Sequence, residues 1–146
     1  MKKQLQSLLL IFTLFLSYNG YSQGATCATA DPFCTGTAYN FPNNTGTSAE
    51  AGPDYGCLLT QPNPAWYYLQ VSQSGDIIID IEQTTGAGSG IDVDFIAYGP
   101  FASATGNCGN LTSSNTVDCS FSPDATETAD ITGALNGEYY LLLITN

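Results

Sequence analysis

The sequence predicts an all-β fold, an antiparallel, jelly-roll-like β-sandwich stapled by disulfides. Three observations predict it. Apolar residues recur with period two rather than 3.6 almost throughout the chain. The apolar runs are short and bounded by Gly, Pro, Asn and Ser clusters, the punctuation of strands joined by turns. Five cysteines accompany this pattern in a chain that opens like an exported one.

Residues 1–23 carry Lys2 and Lys3, an apolar run from Leu8 to Leu16, and a small, polar exit ending at Ser22-Gln23. These are the parts of a secretory signal peptide, with cleavage expected between Ser22 and Ala25. The run is too short for a permanent span, which needs ~20 apolar residues. Residues 24–146 then form one β-sandwich domain, long enough to bury a core. Residues 27–64 hold Pro32, Pro42, Pro53, Pro62 and Pro64 and predict loops and short edge strands that wrap the sandwich.

Residues 65–71, rich in aromatics, predict a strand, and residues 72–75 a turn. Residues 76–82 predict the second arm of an antiparallel hairpin. Its Ile77, Ile79 and Ile81 share one face, while Asp76, Ile78, Asp80 and Glu82 share the wet one. The glycine-rich loop 84–90 has no Lys after it and no helix to open, so it is not a phosphate cradle. Residues 91–98 alternate Ile91, Val93, Phe95 and Ala97 against Asp92, Asp94, Ile96 and Tyr98, and Gly99-Pro100 is expected to end that strand. Weaker strands are predicted at 116–121 and 127–131. Asn136-Gly137 turns the chain into a last strand, 139–146, apolar on both faces. Because the chain stops inside so apolar a strand, a longer protein is expected, with this domain at its N-terminal end.

The charge is lopsided. Thirteen acids face two cations, Lys2 and Lys3, and there is no His, for a formal charge of −11. Loss of the signal peptide leaves thirteen acids and no side-chain cation, hence −13. Nucleic acid and anionic membrane surfaces are disfavoured as partners, since phosphate binding needs Lys or Arg to displace counterions. Catalysis by Ser-His-Asp, by Cys-His or by a Lys Schiff base lacks its base or amine.

For the cysteines, an exported chain makes disulfides the expectation, and the absence of His and of any Cys-x-x-Cys spacing argues against zinc. Cys108 and Cys119 are expected to close a local loop. Of Cys27, Cys34 and Cys57, one is left over and is expected to pair outside residues 1–146.

Three segments in order carry a resemblance. They are Trp66-Tyr67-Tyr68-Leu69 leading to Asp76-Ile77-Ile78-Ile79, then Asp92-Val93-Asp94-Phe95-Ile96-Ala97-Tyr98-Gly99-Pro100-Phe101, then Leu135-Asn136-Gly137-Glu138-Tyr139-Tyr140-Leu141. Together they resemble the pre-peptidase C-terminal type of β-sandwich. With Gly52-Pro53-Asp54-Tyr55-Gly56-Cys57 and Pro62-Asn63-Pro64-Ala65-Trp66, the chain is more closely similar to N-terminal modules of large surface, adhesin-like proteins of gliding, type IX-secreting bacteria. The resemblance spans residues 27–146. It implies a secreted or outer-surface location, further domains downstream in the same chain, and other surface proteins or glycans as partners.

Chemistry-bearing groups are few. Asp92 and Asp94 fall on one face of a predicted strand, ~6.6–6.8 Å apart at Cα. Two like charges so close call for a counter-ion, and calcium, hard and oxygen-seeking, suits them with carbonyls of the neighbouring glycine loop. Related pre-peptidase-type sandwiches include calcium binders, which the resemblance adds to this expectation. A glycosidase pair at Asp92/Asp94 or Asp80/Glu82 is disfavoured, because carboxylates on one strand do not flank a bond from opposite sides. Trp66, Tyr67, Tyr68, Tyr98, Tyr139 and Tyr140 either stack sugar rings or pack the core; core packing is the ordinary use of such residues. The expectation is therefore a non-catalytic extracellular interaction module, with a carbohydrate-binding or targeting module of a secreted hydrolase as the alternative.

Overall fold

Period-two patterning becomes seven strands in the computed structural model, which describes residues 24–34 and 46–146. The expected signal peptide lies outside the described residues. The strands are β1 (Asp31–Pro32), β2 (Ala65–Gln70), β3 (Gly75–Glu82), β4 (Asp94–Phe101), β5 (Thr116–Ser120), β6 (Thr126–Ala134) and β7 (Tyr139–Thr145). They form a five-stranded sheet, ordered β1-β2-β7-β4-β5, and a two-stranded sheet, β3-β6. Every pairing is antiparallel except that of the short edge strand β1 with β2. The pairs nest, with β2 against β7, β3 against β6 and β4 against β5, as in one long hairpin folded over on itself. No helix among the described residues is long and apolar enough to cross a membrane.

The expected hairpin between residues 65–71 and 76–82 does not form; β2 and β3 lie in different sheets. Val71 stays with the first sheet, donating its N–H to Glu138 and accepting from Gly137. The turn 72–75 then crosses to the second sheet, and Ser74 Oγ accepts from the Asn136 N–H at 2.9 Å. The physical reason lies in β7. Buried on both faces from Tyr140 to Thr145, it needs a strand on each side, and β2 and β4 supply them.

The five-stranded sheet is buried on both sides, so there are two cores. The inner core lies between the sheets and gathers Tyr67, Leu69, Phe95, Ala97 and Leu142 against Ile79, Ile81, Ala129 and Ile131. The outer core holds Leu58, Trp66, Ile96, Tyr98, Leu111, Leu141 and Leu143. The predicted alternation of β3 is observed: Ile79 and Ile81 are buried, whereas Ile78 is 67% exposed.

Among the described residues, what covers the outer core is residues 27–30 and 55–58 from the segments before β2, with the loop between β4 and β5, held down by disulfides. The bridges are Cys27–Cys108 and Cys57–Cys119, closing 81 and 62 residues. The expected local Cys108–Cys119 loop is therefore wrong. Cys108 opens a 3-10 turn lying over the outer core beside Cys27, whereas Cys119 sits on β5 next to the Cys57 loop. Cys34 belongs to neither bridge and is exposed. Two such bridges form and persist in an oxidising compartment, outside the cytoplasm.

Two strand limits also differ from expectation. β4 begins at Asp94 rather than 91, because Ile91 and Val93 donate their N–H groups to Gln83 and Asp124, at the ends of the other layer. It runs through Gly99-Pro100 to Phe101, with a register shift after Tyr98. Gly99 is required there, since a Cβ would collide with the Tyr140 ring.

Candidate functional site

The two carboxylates singled out by the sequence occupy one end of the sandwich but different environments. Asp92 is exposed on the segment that crosses between the layers. Asp94, the first residue of β4, is 2% exposed and pairs across the sheet with Thr145. They do not stand side by side on one strand as expected, because the ladder of β4 starts only at Asp94.

Two further polar side chains that sequence reasoning did not single out come to this end. Gln83 continues the inward face of β3 after Ile79 and Ile81 and is 8% exposed, with its Nε2 buried and unpartnered among the described residues. Glu127 of β6 stands opposite Ile81, its Oε1 likewise buried and unpartnered. Their signal was present in the sequence, since both break an otherwise apolar inward face. It becomes legible only once the β3–β6 register is known.

Electrostatics at this end are uncompensated. Burial, then the nearby Asp92, then Glu127 push the Asp94 carboxyl up to about 6. Folded Asp94 thus holds its proton in a range where the unfolded chain has lost it. The folded state binds more protons between pH ~4 and ~6, so stability falls as pH rises through that window and the loss is complete above it. We expect Asp94→Asn to raise stability by about 1–2 kcal/mol at neutral pH, each pKa unit being worth about 1.4 kcal/mol before screening by water at the sandwich end. The gain should vanish below pH ~4. Urea unfolding of both proteins across this range, in chelator, measures the difference; a gain independent of pH would refute the assignment.

The same titration decides on calcium. Among the described residues no group of three or more Asp, Glu, Cys or His side chains is arranged to hold a metal. A calcium ion at Asp92 and Asp94 would thus draw its other oxygens from backbone or water. Occupancy would raise the wild-type midpoint in millimolar calcium and leave Asp94→Asn unmoved. Equal wild-type midpoints with calcium and with chelator would rule out calcium at this pair.

Elsewhere, the aromatics are packing groups more than a platform. Trp66 and Tyr98 are fully buried, Tyr67 and Tyr140 nearly so, and Tyr68 and Tyr139 are half-buried. Asp80 and Glu82 are exposed on β3, where Asp80 accepts from the Thr128 hydroxyl at 3.3 Å. A shallow cleft of about 310 Å³ lies against the Cys27–Cys108 bridge, walled by Ala28, Ala30, Tyr68, Ala104 and Thr105. It shares no residue with the Asp94 end.

No protein-family model, curated protein or solved structure matches the chain. What the fold offers is a two-layer body with a cross-linked loop layer on one side and an exposed carboxylate-bearing strand on the other.

Proposed function

We propose that the chain is a non-catalytic extracellular interaction module of a surface or secreted adhesin-like protein. The observation that carries this reading is the pair of disulfides that fastens the segments around Cys27 and Cys57 and the β4–β5 loop over the outer core. Cross-links of that span hold loops in place against the entropy of release, as a surface displayed for binding outside the cell requires. The purely anionic composition beyond Lys3 agrees with display, because a high net charge of one sign keeps exported domains soluble and apart. The nested pairing of β2–β7, β3–β6 and β4–β5 favours reading the sandwich as a jelly roll in which the long β4–β5 connection replaces a further strand pair.

The test is a binding screen of the exported chain, immobilised with its disulfides intact, against outer-surface proteins and a glycan array. Selective binding to a surface protein is the expected result. Tight, selective binding to one sugar class would replace this reading with a carbohydrate-binding module, and no binding to either would overturn both.

A further inference from the structure

The two-stranded sheet has two edges, and they are treated differently. On β6 the Asp130 N–H, which points away from β3, donates to the Asp118 carboxylate of β5 at 2.7 Å, so that edge is plugged by a neighbouring strand. On β3 the sole strand partner among the described residues is β6. The Asp130 bond also fixes the phase of the ladder. Ile78 opposite Asp130 belongs to a non-hydrogen-bonded pair, as do Asp80 opposite Thr128 and Glu82 opposite Thr126. The N–H and C=O groups of Ile78, Asp80 and Glu82 therefore point outward along a free edge.

Side chains on that edge state what could pair with it. Ile78, Asp80 and Glu82 face solvent, and Ile77, Ile79 and Ile81 face the inner core. A strand added here would set alternate side chains beside Asp80 and Glu82, and the others against the rim of the isoleucine row. Another anionic edge would be repelled, which is how edge strands avoid their own kind. Residues 24–146 contain no Lys, Arg or His, so the strands of a second copy of this domain have no side-chain cation to offer.

We propose that the free edge of β3 docks an extended strand of another protein in which Lys or Arg alternates with apolar residues. The proposal rests on the interaction-module reading and names its partner chemistry. Backbone pairing would supply affinity, and the carboxylates would select the cationic face.

The probe is a capped nine-residue peptide alternating Lys with Val or Ile, compared with a scrambled peptide of the same composition, both against the exported chain. The alternating peptide is expected to bind more tightly, to weaken with salt, and to protect the Ile78, Asp80 and Glu82 amides from hydrogen exchange. Ile78→Pro removes an outward N–H without touching the β3–β6 ladder and should weaken binding at least tenfold. Asp80→Asn with Glu82→Gln should weaken it roughly threefold to tenfold. If Ile78→Pro unfolds the chain, Asp80→Lys with Glu82→Lys supplies the test: it should reject the Lys peptide and accept its Glu counterpart. Equal binding of the scrambled peptide, protection at other amides, or self-association lost in Ile78→Pro would each overturn the edge. Should the wild-type and Ile78→Pro chains bind the same surface protein equally, the edge fails while the module reading stands.

Discussion

Removing the Cys57–Cys119 bridge by paired Ser substitution is expected to cost about 4 kcal/mol of stability, and removing Cys27–Cys108 about the same. A cross-link restricts the unfolded chain, and in the chain-entropy account closure of 62 or 81 residues gives about 4 kcal/mol each. Domains of this size are stable by roughly 5–15 kcal/mol, so loss of both bridges should leave little or no folded protein at 37 °C. Urea midpoints of the two double variants measure the cost, and a loss below about 1 kcal/mol would mean that the outer core alone holds the loop layer. The pairing itself is open to peptide mapping without reduction. Trypsin has nothing to cut beyond Lys3, so an acid-specific protease is used; Asp118 separates Cys108 from Cys119 and makes the two connectivities distinguishable. A cross-linked peptide pair joining Cys108 to Cys119 would overturn the bridges described.

The disulfides also show where sequence reasoning stops. Spacing favoured the shorter loop between Cys108 and Cys119, but proximity along the chain is not proximity in a two-sheet fold. Cys108 follows β4 onto the outer side, and Cys119 returns on the edge strand β5. Alternation told more. It located the inward face of β3 through Ile77, Ile79 and Ile81, and the run from Tyr139 onward announced a strand covered on both sides. Alternation cannot say which strand is the neighbour, so the β2–β3 hairpin was the natural expectation and the crossing at 72–75 was not legible. Nor can it show that Ile91 and Val93 bond to Gln83 and Asp124 instead of to β5 or β7.

At the candidate site the same limit applies. Asp92 and Asp94 were visible as a pair of carboxylates, and their crowding of like charge is the feature that survives. Their unequal burial was not visible, because it depends on where the ladder of β4 begins. Gln83 and Glu127 join them only through the register of β3 with β6, a contact between residues more than forty positions apart. Thus the sequence identified a charged end, and the packing turned it into a buried carboxyl at the same end as the buried Gln83 and the half-buried Glu127.

Trp66→Ala is expected to cost about 3–5 kcal/mol, the usual range for emptying a fully buried aromatic site. The side chain is 0% exposed, its ring lies 6.2 Å from that of Tyr98 at an interplanar angle of 20°, and Tyr55 approaches from another side at 6.4 Å. Tyr98 is itself fixed, its hydroxyl donating to the Asp54 carbonyl at 2.7 Å, and burial raises its phenol above the ordinary value. The cavity left by Ala is therefore walled by groups with little freedom to collapse into it. Trp66→Phe should cost less than half as much, because the indole Nε1 is buried without a partner among the described residues and no hydrogen bond to them is lost with it. Urea unfolding of the two variants gives both numbers. As the only tryptophan, Trp66 also reports on the outer core directly, with blue-shifted emission in the native protein that should move to the red when both disulfides are reduced. The comparison separates the two uses of this aromatic cluster. A tryptophan held out to stack on sugar could be replaced by Ala with a change within about 0.5 kcal/mol, as at other exposed positions. A cost of several kcal/mol would instead make Trp66 the keystone on which the disulfide-bound loop layer rests.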